Sequence, residues 1–194
     1  MRKAEFSRRT RETDVAASIN LDGIGNIDID TGIGFFDHML ISFATHGGFD
    51  INLKAVGDLE VDCHHTVEDA GIVLGKAFAL ALEDKSGIRR FGSAYIPMDE
   101  ALAFTSLDFS GRPYLIFDGD FKNERIGEYE TCLTEEFLRA FAFNAGITLH
   151  IKVLYGENDH HKCEALFKSL AYALKTAVEK TGKVDVISTK GSLD

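Results

Sequence analysis

Apolar residues recur at helical spacing in two long stretches of the chain. Val67, Ala70, Gly71, Leu74, Phe78 and Ala81 fall on one face of a 3.6-residue period. Cys163, Leu166, Phe167, Leu170, Leu174 and Val178 do the same. Each set predicts a long amphipathic helix. Ahead of each lies a strand-like run opened by a glycine, GFDINLKAV from Gly48 to Val56 and GITLHIKVL from Gly146 to Leu154. Shorter helical patterns precede these, FFDHMLISFATHG and EEFLRAFAFNAG. Each half opens with alternating segments broken by Asp and Gly turns, such as ASINLDGIGNIDID and LAFTSLDFSGRPYLIF. Each half therefore reads as three strands, a helix, a strand and a long helix.

The halves are copies of one another. HHTVEDAGIVLGKAFALALEDKSG, from His64, aligns with HHKCEALFKSLAYALKTAVEKTG, from His160. The expected fold is α+β, an internal duplication of a sheet-and-two-helix half, with the halves packed through the long-helix faces. The 194 residues are expected to form a single domain of two repeats, about 1–91 and 92–194, meeting near Arg90 to Ser93. The halves need not be independent, because each alone would leave an apolar face bare.

Composition narrows the function. With 45% apolar and 27% charged residues the chain is an ordinary globular one. A net charge of −10 disfavours nucleic-acid binding. No apolar run approaches the roughly 20 residues that span a bilayer, and the N-terminus has no apolar signal-peptide region, so the expected compartment is the cytoplasm. Cys63, Cys132 and Cys163 show no CxxC spacing, which fits a reducing environment. Arg2, Lys3, Arg8, Arg9 and Arg11 oppose the overall charge and form either a site for a small anion or a solvated basic edge strand.

The chemistry lies in the histidines. Four of the seven form two pairs, His64-His65 and His160-His161, each at the start of a long helix. Glu68 and Glu164 follow at the same spacing, so one His of each pair shares a helical face with its Glu. The adjacent His points about 100° away and would serve a second metal. One such motif alone is ordinarily a solvated helix start with an acid suited to the dipole; two copies in matched positions point to a metal site. Imidazole and carboxylate donors suit Mn²⁺, Fe²⁺ or Zn²⁺, and binding should weaken at acidic pH because the rings must be neutral. His38, with Glu136 at the matching place in the other half, brings the set to eight donors, four per metal, leaving open positions on an octahedral ion. Lys168 shares the helical face of Glu164. His46 either meets a ligand or caps its helix, His150 reads as structural, and Cys63, with Asp159 in its place in the second half, as a bystander.

GFFDHML, DCHHTVEDAGIVLG, SGRPY, TLHIKVLYGENDHHKCEALFK and the late STKG resemble the imidazoleglycerol-phosphate dehydratase family, in order and over essentially the whole chain. The resemblance implies a hydro-lyase of histidine biosynthesis that converts D-erythro-imidazole-glycerol phosphate to imidazole-acetol phosphate and water. It implies two Mn²⁺ ions per site and a duplicated fold like domain 2 of ribosomal protein S5. It also implies a homo-oligomer of twenty-four subunits built from trimers, with active sites at subunit interfaces. The eight donors carry over as ligands, with one departure: many relatives have His where this chain has Glu136.

The implied chemistry suits the donors. The leaving hydroxyl sits on a carbon attached to an imidazole ring, and no carbonyl is present to acidify a neighbouring proton. Metals on both ring nitrogens would stabilise the ring as an imidazolate. The resemblance assigns proton transfer to Glu12, with Asp99 and Glu100 as alternates. It assigns the phosphate to Arg90, Arg112, Lys168, Ser188 and Lys190, and Arg89 could stand in for Arg90. Rival readings are another metal-dependent phosphosugar enzyme or a non-catalytic metal-binding assembly protein. The former is disfavoured in its helical-bundle forms by the strand-rich halves, and the latter leaves the phosphate set without a purpose.

Overall fold

The computed structural model describes residues 2–182, 185–189, 191 and 193. In the first half, strands β1 (Lys3–Arg9), β2 (Thr13–Asn20) and β3 (Ile27–Asp30) precede helix α1 (Gly34–Gly47), strand β4 (Asp50–Gly57) and helix α2 (His64–Leu82). In the second half come β5 (Phe91–Met98), β6 (Ala101–Asp108) and β7 (Tyr114–Asp118). A short hairpin follows, β8 (Arg125–Ile126) and β9 (Tyr129–Glu130), then α3 (Leu133–Ala145), β10 (Thr148–Tyr155) and α4 (Asp159–Val178). The hairpin is an addition to the pattern read from the sequence, since strands of two residues carry no periodicity to read.

The two four-stranded sheets share one topology, β1-β2-β4-β3 and β5-β6-β10-β7. In each, the last strand in chain order runs parallel to one neighbour and antiparallel to the other. A parallel connection needs a crossover, and α1 and α3 supply it. Alternation decides which face is covered: Val15, Ala17 and Ile19 of β2 and Ile51, Leu53 and Ala55 of β4 point inward and are buried. Both helices of a half lie on that face, and the halves meet helix against helix.

Contrary to the expectation from their apolar faces, the long helices do not pack chiefly on each other. α2 lies on β1 and β2 and meets α3, while α4 lies on β5 and β6 and meets α1. Turning one half over onto the other sets each long helix above a short one. The α2–α3 crossing is close because Gly71 and Gly75 face it. A Cβ at Gly71 would come within 2.8 Å of the Phe137 carbonyl, and one at Gly75 within 2.6 Å of the Phe141 carbonyl. Phe36, Phe43, Phe78, Phe137, Phe141 and Phe167 fill the space between the layers.

The outer faces of the sheets differ. The first carries Lys3, Glu5, Asp28 and Lys54, whereas the second exposes Phe91, Tyr95, Tyr114, Leu154 and Tyr155. Among the described residues no helix is long and apolar enough to cross a membrane.

Candidate active site

The start of α4 is fixed before its histidines come into play. The Asn158 side chain accepts the His160 N–H at 2.9 Å and caps the helix. Asp159, 3% exposed, accepts from the backbone of Lys122 and Asn123 and pairs with the buried Lys162 at 2.6 Å. Burial alone would raise the Asp159 carboxyl; Lys162 and the amides outweigh it and hold it at about 2. Lys162 also donates to the Asp120 carbonyl at 2.6 Å, which ties the segment after β7 to the helix.

One turn along, His160 Nε2 lies 3.3 Å from Glu164 Oε2, and His38 Nε2 reaches the same oxygen at 3.8 Å from α1. One donor atom from each of the three fits within 4.8 Å of the others. Glu164 is buried, and its other oxygen accepts the Lys168 ammonium at 2.7 Å. Burial pushes this carboxyl up, but Lys168 and the two imidazoles win and leave it below its ordinary range.

The matching motif on α2 is looser. His64 Nε2 stands 4.0 Å from Glu68 Oε2, with both side chains nearly half exposed. Glu136, where His38 has its counterpart, lies 3.9 Å from Arg139 on its own helix. No third donor joins His64 and Glu68 among the described residues. The eight expected ligands thus do not converge within one chain. Phe35 packs edge-on to His160 at 5.1 Å and tilts against Tyr129 at 5.5 Å. Cys63, beside His64, donates to the Glu128 carbonyl of the same hairpin. The hairpin and Phe35 thereby occupy the space between the two helix starts.

The second histidine of each pair is held alike. His65 Nδ1 lies 3.1 and 3.2 Å from the Asp58 oxygens, and its Nε2 lies 3.9 Å from Glu12 Oε2. His161 Nδ1 meets Glu100 Oε2 at 2.7 Å, and its Nε2 lies 3.7 Å from Asp99 Oδ2. The hydrogen bond to Asp58, with the Glu12 charge behind it, raises the His65 pKa; the bond to Glu100 raises that of His161. The Asn158 N–H, His161 and the N–H groups of Glu100 itself and Glu157 hold the Glu100 carboxyl at about 2. Asp99 therefore stands to His161 as Glu12 stands to His65. The turn carrying Glu12 is anchored to α2 by Asp69, which accepts from Arg8 at 2.8 Å and from the Thr13 hydroxyl. Sequence reading missed Asp58 and Asp69, because both act through contacts between segments with no shared spacing.

The cations expected at a phosphate are spread out. Arg90 binds Asp108 through two nitrogens, at 2.6 and 2.9 Å, and donates to the Ile187 carbonyl, next to Ser188. Arg89 instead pairs with Glu179 on the surface. Arg112 is exposed, four residues beyond Asp108, with no side-chain partner among the described residues. Lys190 lies outside the described residues. Lys168 touches Met98 Sδ at 3.4 Å, at the end of β5 opposite to Phe91 and Arg90. At about 3.3 Å per residue that strand separates them by about 23 Å. His46 is half-buried against Tyr172, with burial and the Lys168 charge lowering its pKa. His150 is exposed on β10. Burial holds Cys163 at about 12 and raises Cys63, so neither thiol is a ready thiolate ligand.

A family model described as imidazoleglycerol-phosphate dehydratase matches residues 31–174. The chain belongs to the imidazoleglycerol-phosphate dehydratase family. It is an enzyme, a lyase of histidine biosynthesis. The imidazoleglycerol-phosphate dehydratase of Acetivibrio thermocellus is 60% identical over 193 residues, 99% of both chains. That of Thermoanaerobacter pseudethanolicus is 59% identical over the full length of both. The crystal structure of the imidazoleglycerol-phosphate dehydratase from Staphylococcus aureus superposes with a TM-score of 0.83 at 41% identity, covering 91% of this chain and 99% of that one. The Pyrococcus furiosus enzyme, crystallised in complex with (S)-C348, also gives 0.83 at 40% identity, covering 96% and 99%.

Proposed function

We propose that the chain dehydrates D-erythro-imidazole-glycerol phosphate to imidazole-acetol phosphate and water at a two-Mn²⁺ site shared between subunits. The observation that carries the reading is the convergence of His38, His160 and Glu164 beside Lys168, in a chain of this family. Imidazole nitrogens with a carboxylate are a donor set that suits Mn²⁺. His38, His64, His65, Glu68, Glu136, His160, His161 and Glu164 would hold the two ions. Bound there, the ions would supply Lewis acidity to the imidazole ring of the substrate. Glu12 takes up and returns protons: the hydroxyl leaves from the carbon attached to the ring, the neighbouring carbon loses a proton, and the resulting enol becomes the ketone.

The spread of the cations supports sharing between subunits. One phosphate group does not span from Lys168 at one end of β5 to Arg90 or Arg112 at the other, so on this reading a second chain brings the missing side. The exposed Phe91, Tyr95, Tyr114 and Tyr155 on the outer face of the second sheet support self-association, since aromatic side chains are enriched at protein interfaces. On this reading the protein is a cytoplasmic homo-oligomer of trimers grouped into twenty-four subunits. Incubating purified protein with Mn²⁺ and imidazole-glycerol phosphate tests the reaction. The acetol product is expected, and no turnover with verified bound metal would overturn the proposal.

A further inference from the structure

Asp58 and Glu100 do the same work for His65 and His161, yet they are bonded differently. A carboxylate can only accept, so each imposes the proton on Nδ1 of its histidine and leaves the Nε2 lone pair facing the site. Asp58 follows β4 directly; Gly156 follows β10 in the second half, and no carboxylate stands there. Glu100 replaces it from the β5–β6 turn. In doing so its Oε1 accepts the N–H groups of Glu157 at 3.0 Å and Asn158 at 2.7 Å, while Oε2 accepts from His161. Both oxygens of Asp58 face only His65 Nδ1 among the described residues.

We infer that Glu100 is a positioning residue that fixes the tautomer of His161, and that it cannot be replaced by its own amide. In Glu100→Gln the amide oxygen must stay on the Glu157 and Asn158 N–H groups, because an NH₂ there would set donor against two donors. The NH₂ then faces Nδ1, which must give up its proton. The proton moves to Nε2 and occupies the lone pair that a metal needs. Asp58→Asn has no such constraint. Its amide turns to present oxygen to His65 Nδ1, and that tautomer survives. Two isosteric substitutions of matched carboxylates therefore have opposite outcomes.

The part concerning metal rests on the proposed Mn²⁺ site; the tautomer does not. The test uses metal-free full-length protein carrying ¹⁵N-histidine, at about pH 9 where imidazoles are neutral. NMR reads the tautomers, and calorimetric Mn²⁺ titration reads affinity. Wild type and Asp58→Asn are expected to hold His65 and His161 as the Nδ1–H form and to bind Mn²⁺ alike. Glu100→Gln is expected to convert His161 alone to the Nε2–H form and to weaken Mn²⁺ binding about 10- to 100-fold, the usual range for a lost ligand-orienting contact. Unfolding of Glu100→Gln is checked by the retained His65 signal. An unchanged His161 tautomer in Glu100→Gln, or equal loss in Asp58→Asn, would overturn the inference. Wild type failing to bind Mn²⁺ while Glu100→Gln still switches tautomer would instead sink the proposed metal site and leave the positioning role standing.

Discussion

The two His-His-x-x-Glu motifs are the same sequence device at different stages of assembly. On α4 the carboxylate of Glu164 is buried, shared by two imidazoles and held by Lys168. On α2 the carboxylate of Glu68 is nearly half exposed and 4.0 Å from its histidine, with no lysine one turn on. His38 completes the first, whereas Glu136, its counterpart by position, sits beside Arg139. A repeated motif therefore specifies donor groups but not a finished site. The half that a chain completes alone is the one whose neighbours on the helix and across the halves supply both a third donor and a counter-charge.

Substituting the two glutamates is expected to have the largest effects. Glu164→Ala is expected to abolish turnover and Mn²⁺ binding, and to cost about 1–3 kcal/mol in stability because Lys168 loses its carboxylate in a nearly buried position. Glu68→Ala is expected to abolish turnover too, while staying within about 0.5 kcal/mol of wild-type stability. Equal effects of both on chemical denaturation midpoints would remove the asymmetry. Glu12→Gln is expected to lower kcat by about 10²- to 10⁴-fold with metal affinity and KM retained. Wild-type kcat in that variant would take Glu12 out of the proton path.

The long helices, the strand before each and the duplicated order were legible, because their apolar spacing is dictated by which face is buried. The His pairs were legible because they repeat. Asp58, Asp69 and the paired state of Arg90 were not, since each depends on a loop or turn meeting another segment, and no periodicity records that. The looseness of the α2 motif was foreshadowed only by Glu136, a residue type whose longer reach and negative charge suit the adjacent Arg139 as well as a metal.

Acidity is expected to act more mildly. His65 and His161 have raised pKa values in the fold, so their protonated forms stabilise the metal-free protein. That contribution is complete below about 6.5 and is lost as pH rises through the raised values. Glu100 works in the other direction: its contribution is present above 4.5 and is lost as pH falls toward about 2. Metal-free stability from these groups is therefore greatest between those limits, while Mn²⁺ affinity begins to fall at a pH above the ordinary imidazole range. Melting and Mn²⁺ titrations across pH check both, and a metal affinity that stays level down to pH 6 would contradict the assignment of His65 and His161 as ligands.

The proposed sharing of a phosphate between Lys168 of one chain and Arg112 of another makes a direct demand on mixed assemblies. Lys168→Met and Arg112→Met, each dissociated and reassembled alone, are expected to be nearly inactive. Reassembled together in equal amounts, they are expected to regain roughly a quarter of wild-type turnover, because that share of sites draws both cations from unmodified halves. A mixture no more active than its parents, with mixed assemblies verified by mass, would contradict a site shared between subunits.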